Sequence, residues 1–248
     1  IKQLVSLPVI GIGRINTPAL AERMLAEGKM DLVGMVRELI ADPHLPNKAR
    51  EGRVDDIRMC IACVQSCVGR QNLALPITCI YNPVTGHEKQ WADPGLAPVK
   101  KKVVVVGGGP AGMEAARVAA ERGHQVDMVT SRSQPGLPDH EIMGGVRVWR
   151  TWMPARNAPG WAAHAFFSMP RFGALARSAD VLHAQDIASV LPCMVAHRVG
   201  KAPIVTTYHT SHFLKRAESP FWRPIFKRFL EAADHNLAAS VEIASVGE

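Results

Sequence analysis

The chain has 248 residues, 47% of them hydrophobic and 21% charged, with a net charge of +7 at pH 7. This composition is typical of a globular protein with one large or two small domains, and no apolar run approaches the ~18 residues that cross a bilayer. The basic residues are scattered and form no nucleic-acid-binding motif, so we expect no nucleic-acid partner. The chain starts without Met and without a signal peptide, so we interpret it as a cytoplasmic fragment.

The first 45 residues predict two β/α units. Residues 8–13 are a buried strand, and Asn16 or Thr17 caps a helix that ends before Gly28. A second strand over 31–35 leads into a helix that stops near Pro43. The order β-α-β-α is typical of a parallel α/β fold.

Four cysteines follow with the spacing C-x2-C-x3-C-x11-C, at Cys60, Cys63, Cys67 and Cys79. Thiolates bind iron–sulfur clusters or zinc. Structural zinc sites usually pair two C-x2-C turns, and the second turn is absent here, so the spacing favours a cluster over zinc. Four unrelated buried cysteines are the remaining alternative. Cys193 stands alone in an apolar stretch, which predicts a buried structural residue.

A glycine-rich turn comes next, after residues 83–102, whose prolines, glycines and lysines predict a linker. The motif Gly107-x-Gly109-x-x-Gly112 follows a valine-rich strand and opens a helix, as in sites that bind the pyrophosphate of a dinucleotide. Thr130 occupies the position where such sites place an acidic residue for the ribose. The turn is therefore either a site for FAD or ADP or a purely structural α/β turn.

Residues 8–15, 31–43 and 60–67 resemble the iron–sulfur flavoproteins related to old yellow enzyme, such as 2,4-dienoyl-CoA reductase and trimethylamine dehydrogenase. The resemblance extends from residue 1 to about residue 126. It implies the last two β/α units of a TIM barrel that holds FMN, and a 4Fe-4S cluster that relays single electrons. It also implies that the FMN phosphate faces two strand ends, at Gly13 and Arg14 and at Gly34, Met35 and Arg37. The less favoured alternative is that Arg14 and Arg37 are surface arginines at helix starts. Val36 departs from the family's Gly or Ala.

A different resemblance begins at about residue 107 and continues to residue 248. It is carried by four runs that each place polar residues at the end of a strand: residues 144–149, 179–186, 203–210 and 233–240. They are similar to the N-terminal domain of retaining GT-B glycosyltransferases of the glycogen synthase and mannosyltransferase type. The resemblance implies a sugar or lipid acceptor site that includes His209, with His183 and Asp186 at a similar edge. Each of the three could equally have a structural role.

Residues 212–230 interleave aromatic and basic side chains. The segment is either a basic amphipathic element that contacts an anionic membrane or lipid acceptor, or a core-packing helix with a basic outer face. The prolines at 220 and 224 favour the second interpretation.

The predicted fold is α/β: a truncated TIM-barrel remnant over 1–56, a cluster segment over 57–82, a linker over 83–102 and a Rossmann-like doubly wound parallel sheet over 103–248. The two resemblances overlap within the strand–turn–helix–strand segment at 103–126, which predicts a chimera joined there.

We consider three hypotheses for the function: an FMN- and 4Fe-4S-dependent oxidoreductase fragment, a glycosyltransferase acceptor domain, and a non-catalytic chimera with only a cluster site. Under the first two hypotheses the partner is a small-molecule substrate or a nucleotide.

Overall fold

The computed structural model describes residues 1–93, 95–132, 134–155, 157–209, 217–240 and 243–245. Two compact units divide the chain, residues 1–94 and residues 95–248. Among the described helices, none combines the length and the hydropathy needed to cross a bilayer.

The first unit contains a pair of parallel strands and several short helices. The first strand is not buried as predicted, since Ile10 and Ile12 are 62% and 75% exposed in this two-stranded sheet. Thr17 caps the first long helix by accepting a hydrogen bond from the backbone N–H of Leu20 at 3.1 Å, with Pro18 in the first turn, as predicted. The elements in chain order are β1 (Ile10–Ile12), α1 (Pro18–Ala26), β2 (Leu32–Gly34), α2 (Arg37–Ala41), α3 (Leu45–Arg50), α4 (Val68–Asn72) and α5 (Glu88–Trp91), with 3-10 turns at Lys2–Leu4 and Val54–Asp56.

The second unit is built on a seven-stranded sheet with the strand order β5-β6-β4-β3-β7-β8-β9. Every neighbouring pair is parallel except β5 and β6. Its elements are β3 (Lys102–Val106), α6 (Pro110–Glu121), β4 (Gln125–Ser131), β5 (His140–Met143), β6 (Val146–Thr151), α7 (Ala158–Ala176), β7 (Val181–Gln185), a 3-10 turn (Ile187–Ser189), α8 (Val190–Gly200), β8 (Ile204–Tyr208), α9 (Arg223–Glu231) and β9 (His235–Ala238).

Alternating side chains of the central strand β3 belong to two separate hydrophobic cores. Val104 and Val106 pack with Phe172 of α7 and Cys193 of α8, while Val105 packs on the opposite face with side chains of α6, β4 and β6. Because successive residues of a strand point to opposite faces, helices on both sides of the sheet are required to bury this strand. This is the doubly wound arrangement that the sequence predicts.

The strand β5 was not predicted. It pairs antiparallel with β6, and Met143 lies opposite Val146 across a two-residue turn. Gly144 and Gly145 both have positive φ, 54° and 81°. Two such residues in succession form the type I′ turn that matches the twist of a hairpin.

The helix α9 packs against the core, which favours the second interpretation of residues 212–230. Phe226 is 4% exposed and belongs to the core cluster, and Phe229 and Leu230 pack against it. Residues 212–216 lie outside the described residues.

The glycine-rich turn brings α6 unusually close to the end of β3. A Cβ atom at Gly112 would lie 2.0 Å from the carbonyl oxygen of Gly107, which real contacts do not allow. At Gly109, which caps the helix with a φ of −73°, a Cβ atom would meet no described atom within 4 Å. The two glycines therefore differ in function: Gly112 permits the contact, whereas Gly109 tolerates a side chain.

We expect Gly112→Ala to lower the free energy of unfolding by about 2 kcal/mol or more, since α6 must move away from β3. The matched change Gly109→Ala should cost no more than about 1 kcal/mol, the usual difference between glycine and alanine at a helix N-cap. Urea unfolding of both variants, followed by far-UV circular dichroism, measures the difference. Equal midpoints for the two variants would contradict the close approach of helix and strand.

Candidate functional site

The ends of β1 and β2 lie side by side in the first unit. The two strands are parallel, with Ile12 opposite Gly34, so the residues that follow each strand share one edge. Gly13 and Arg14 have positive φ, 114° and 53°, and turn the chain sharply after β1. Met35 and Arg37 follow β2, and Arg37 is the first residue of α2. A strand-to-helix edge with backbone N–H groups and two guanidinium groups is suited to a phosphate.

The cysteine segment has the free thiols that a metal or cluster requires. Cys60, Cys63, Cys67 and Cys79 form no disulfide and are partly exposed. The sulfur of Cys60 accepts a hydrogen bond from the backbone N–H of Ala62 at 3.4 Å, and the sulfur of Cys79 accepts one from Tyr81 at the same distance. Such bonds stabilise the negative charge of a thiolate.

A backbone hydrogen bond brings the distant fourth cysteine beside the stretch of chain that contains the third. The N–H of Thr78 donates to the carbonyl of Ser66 at 3.0 Å, so Cys79 and Cys67 occupy neighbouring stretches of chain. Ala62 and Val64, between the cysteines, have positive φ of 55° and 53°. Such conformations are costly for residues other than glycine and concentrate at functional sites.

A set of buried hydrogen bonds fixes both ends of the cysteine segment. The carbonyl oxygen of Ile40 accepts from the side-chain amide of Asn82 at 2.9 Å and from the hydroxyl of Thr85 at 3.0 Å. The guanidinium of Arg58 donates to the amide oxygen of Asn82 at 3.1 Å. We call these four residues the Ile40–Asn82 cluster. It joins Arg58, which precedes the first cysteine, to Asn82 and Thr85, which follow the last one.

Asp42 anchors the chain that enters the cysteine segment. Its buried carboxylate accepts from Lys48 at 2.6 Å and from the backbone N–H groups of Arg58 and His44 at 2.9 and 3.0 Å. Burial acts to raise the pKa of the carboxyl group, but the three donors together outweigh it and hold the pKa below its ordinary value.

The donor set fits an iron–sulfur cluster in chemistry: four thiols that are free and partly exposed. Among the described residues, no three histidine, cysteine, aspartate or glutamate side chains converge on one point that would hold a single metal ion. A cluster places iron and sulfide atoms between its ligands, so its cysteines stand further apart than the four ligands of one zinc ion.

The glycine-rich turn of the second unit faces a large cavity of about 710 Å³. The cavity lies beside the carboxyl end of β4, between α6 and α7, and most of its lining is apolar. His164 lines it and contacts the hydroxyl of Thr151 at 2.8 Å, and burial lowers the pKa of His164. The volume lies within the range of small-molecule sites.

Thr130 binds the glycine turn itself. Its hydroxyl accepts a hydrogen bond from the backbone N–H of Gly108 at 3.1 Å, so one donor of the turn is already paired. Asp127, the nearest acidic residue on β4, is buried, pairs with Arg147 and accepts from the indole N–H of Trp149 at 2.8 Å. The ribose-binding carboxylate of a dinucleotide site is thus replaced by a hydroxyl that acts within the fold.

One polar group at this edge retains binding capacity. The amide oxygen of Gln185 is buried and has no hydrogen-bond partner in the described part of the chain. Gln185 ends β7 and packs beside Gly107, where the strand order reverses between β3 and β7. Open α/β sheets bind ligands at this crevice, and a ligand N–H or O–H there would satisfy the oxygen. The oxygen is thus one unsatisfied acceptor beside the glycine-rich turn.

The structure separates the three predicted acceptor-site residues from the cavity, whose described lining does not include them. His183 lies within β7 rather than at its edge, bonded to the hydroxyl of Thr207 at 2.9 Å, and burial lowers its pKa. Asp186 accepts from the backbone N–H of Ile187 at 2.7 Å and so caps a 3-10 turn. His209 is exposed just beyond β8.

Two family models match the chain in succession. The model of the NADH:flavin oxidoreductase / NADH oxidase family matches residues 1–56, and the model of Glycosyltransferase Family 4 matches residues 112–246, more than half of the chain. The chain belongs to Glycosyltransferase Family 4. Its first part resembles the flavin oxidoreductases, as the sequence motifs indicate.

Two curated relatives and one solved structure illustrate the similarity to oxidoreductases. The chain is 42% identical over 212 residues to an NADH oxidase of Thermoanaerobacter brockii, covering 82% of this chain and 30% of that protein. It is 49% identical over 138 residues to a metal reductase of Desulforamulus reducens, covering 55% and 20%. A 2-naphthoyl-CoA reductase structure shares the fold with a TM-score of 0.58 and 23% identity, covering 96% of this chain and 43% of that chain. The chain spans less than a third of the length of these two curated relatives.

Sequence reasoning missed the residues that position the cysteines. Asn82 and Arg58 carry no motif of their own, although Arg58 lies two residues before the first cysteine and Asn82 three residues after the last. The signal available in the sequence was that polar residues lie on both sides of the cysteine segment.

We expect Asp42→Asn to weaken the first unit by about 2 kcal/mol, since Lys48 and two backbone N–H groups lose a charged acceptor. Hydrogen exchange of the amides in residues 37–58 measures the loss. Asp55→Asn, a change at an exposed carboxylate, is the control and should be neutral within about 0.5 kcal/mol.

The stabilisation that the Asp42 carboxylate gives to the first unit should depend on pH. Because the folded pKa of Asp42 is lowered, the stabilisation is complete above the unfolded value of about 3.9 and is lost as the pH falls through the folded pKa. Protection of residues 37–58 that is identical in wild type and Asp42→Asn at neutral pH would refute this role.

Proposed function

We propose that the first part of the chain is the electron-transfer portion of an oxidoreductase, in which Cys60, Cys63, Cys67 and Cys79 bind one 4Fe-4S cluster. The observation that carries the proposal is the spacing of four free thiols in a segment whose two ends are joined by the Ile40–Asn82 cluster. The similarity to an NADH oxidase and a metal reductase supports it.

Each group of residues has a distinct part in the proposal. The four thiolates bind iron, and the N–H groups of Ala62 and Tyr81 stabilise the charge on two of the sulfurs. When bound, the cluster supplies single-electron transfer. Gly13, Arg14, Gly34, Met35 and Arg37 contribute backbone N–H groups and guanidinium charge to the phosphate of FMN.

The glycine-rich turn supports a nucleotide site without the usual ribose contact. Gly107, Gly109 and Gly112 allow the backbone to approach FAD or ADP, and the start of α6 supplies partial positive charge. Thr130 replaces the acidic residue, so we propose that recognition rests on the phosphates and on Gln185 rather than on the ribose hydroxyls.

Anaerobically purified protein should contain about four irons and four sulfides per chain, the content of one [4Fe–4S] cluster. The double variant Cys60→Ala, Cys63→Ala should lose both, while Cys193→Ala should keep them, since Cys193 is buried in the core of the second unit. Elemental analysis, sulfide assay and flavin extraction measure the contents.

Zinc in place of iron, or equal iron in the double variant and the Cys193→Ala control, would contradict the cluster. Bound FMN that is lost in Arg14→Gln or Arg37→Gln would support the phosphate site. FMN that is retained in both variants would remove those arginines from it.

A second candidate function is acceptor binding by the glycosyltransferase-like part. The family match over 112–246 and the apolar cavity beside β4 favour it. The cavity is large enough for a sugar that carries an alkyl chain.

Octyl glucoside below its micellar concentration should bind to the cavity, and Ala165→Leu, which fills part of it, should weaken binding about tenfold. Ala163→Leu, on the same helix but outside the cavity lining, is the control. Calorimetric titration compares the three proteins. Equal affinity for all three would count against acceptor binding in this cavity.

A further inference from the structure

We propose that a second, smaller groove in the 95–248 unit binds a small oxyanion, a phosphate or a carboxylate, that is attached to a planar ring. The groove has a volume of about 270 Å³ and lies at the outer edge of the sheet, beside the ends of β4 and β6. The groove shares only Arg150 with the described lining of the larger cavity, and its own described lining includes none of the residues proposed to hold the cluster or FMN. Its lining consists of Arg132, Asp139, His140, Trp149, Arg150, Thr151, Trp152, Phe167 and Arg171.

The walls of the groove are fixed by backbone hydrogen bonds. The N–H of Arg132 donates to the carbonyl of Thr151 at 2.8 Å, and the N–H of Arg150 donates to the carbonyl of Asp139 at 2.7 Å. The first bond extends the sheet beyond β4. The second attaches Asp139, which precedes β5, to the strand β6. The groove is therefore part of the folded sheet, and little ordering is needed when a ligand binds.

The groove is positively charged. Arg132, Arg150 and Arg171 line it, together with a single carboxylate, that of Asp139, which pairs with Arg132. Arg150 pairs with Glu141, outside the lining. Arginine presents several N–H donors in a plane that matches two oxygens of a phosphate or carboxylate.

Two observations show donors with remaining capacity. Arg171 lies over the ring of Trp149, 4.2 Å from its centroid, an arrangement that positions the guanidinium while leaving its edge N–H groups available. In the described part of the chain, the Nε atom of Arg132 is buried and has no hydrogen-bond partner. Buried donors of this kind are uncommon in folded proteins and are satisfied by a ligand or water.

An aromatic surface stands next to these charges. Trp152 and Phe167 meet edge to face, with ring centroids 5.2 Å apart, and remain 52% and 51% exposed. Trp149 is already covered by His140, at 4.0 Å, and by Arg171, so it cannot stack on a ligand as well. Trp152 and Phe167 are thus the surface on which a ligand ring packs.

The size of the groove limits the ligand. At about 270 Å³ it is smaller than the ~300–1,000 Å³ typical of sites for drug-sized ligands. One ring with one anionic group fills the groove, whereas a dinucleotide is too large to fit. Charge and aromatic surface together therefore select a compact ring with an attached oxyanion.

Calorimetric titration of the full chain with phenyl phosphate and with benzoate tests this, and inorganic phosphate and phenol serve as the half-ligands. We expect phenyl phosphate or benzoate to bind at least about tenfold more tightly than either half-ligand, since only the whole ligand uses the arginines and the aromatic pair. Comparing the affinities of phenyl phosphate and benzoate shows whether the groove prefers a phosphate or a carboxylate. No saturable binding of either to the wild type would overturn the proposal.

Matched variants locate the binding. Arg171→Gln should weaken it about tenfold, the effect of losing one charge-assisted hydrogen bond. Arg177→Gln, an exposed arginine at the end of the same helix and outside the groove, should leave it unchanged. Trp152→Leu should abolish the preference for the ring compounds over inorganic phosphate. Equal losses in Arg171→Gln and Arg177→Gln would show a general charge effect and overturn the site.

Discussion

The carbonyl oxygen of Ile40 is the acceptor on which the arrangement of the first unit depends. It receives hydrogen bonds from Asn82 and Thr85, and Asn82 in turn receives one from Arg58. Residues 58 and 82 are the ends of the cysteine segment, in which α4 is the one short helix that the structure describes. Without buried bonds at both ends, the entropy of a 23-residue segment between them would oppose any fixed arrangement of four thiols.

The second unit depends on a steric contact rather than on a polar one. The absence of a side chain at Gly112 lets α6 approach the carbonyl of Gly107, and Gly108 donates to Thr130 on the neighbouring strand. Both contacts lie within the chain itself, so the turn keeps its shape without a ligand. A glycine motif of this kind is therefore evidence of close helix–strand packing first, and of nucleotide binding only when the polar partners at the strand ends agree.

Most of the sheet could be predicted because its strands are short apolar runs bounded by glycine and charged residues, as at 103–106 and 203–208. The strand β5 was missed because its four residues, His140 to Met143, alternate weakly and are mostly exposed. The Gly144-Gly145 pair was the available signal for a hairpin, but it was interpreted only as the start of the run 144–149. The positions of His183 and Asp186 could not be predicted, since whether a polar side chain at a strand end faces a cleft or bonds to its neighbour depends on tertiary packing.

The overlap of two family patterns in one chain follows from the same contacts. Residues 103–126 form a strand, a glycine turn, a helix and the start of a second strand, and the interactions that stabilise them are the Gly107–Gly112 approach and the apolar faces of β3 and α6. Nothing in these interactions specifies which ligand the turn meets. The polar side chains that follow the turn lie at the next strand ends, where this chain has Thr130 at β4 and Gln185 at β7. A join within residues 103–126 therefore preserves the fold and the turn, and it leaves ligand recognition to the side chains that come after it.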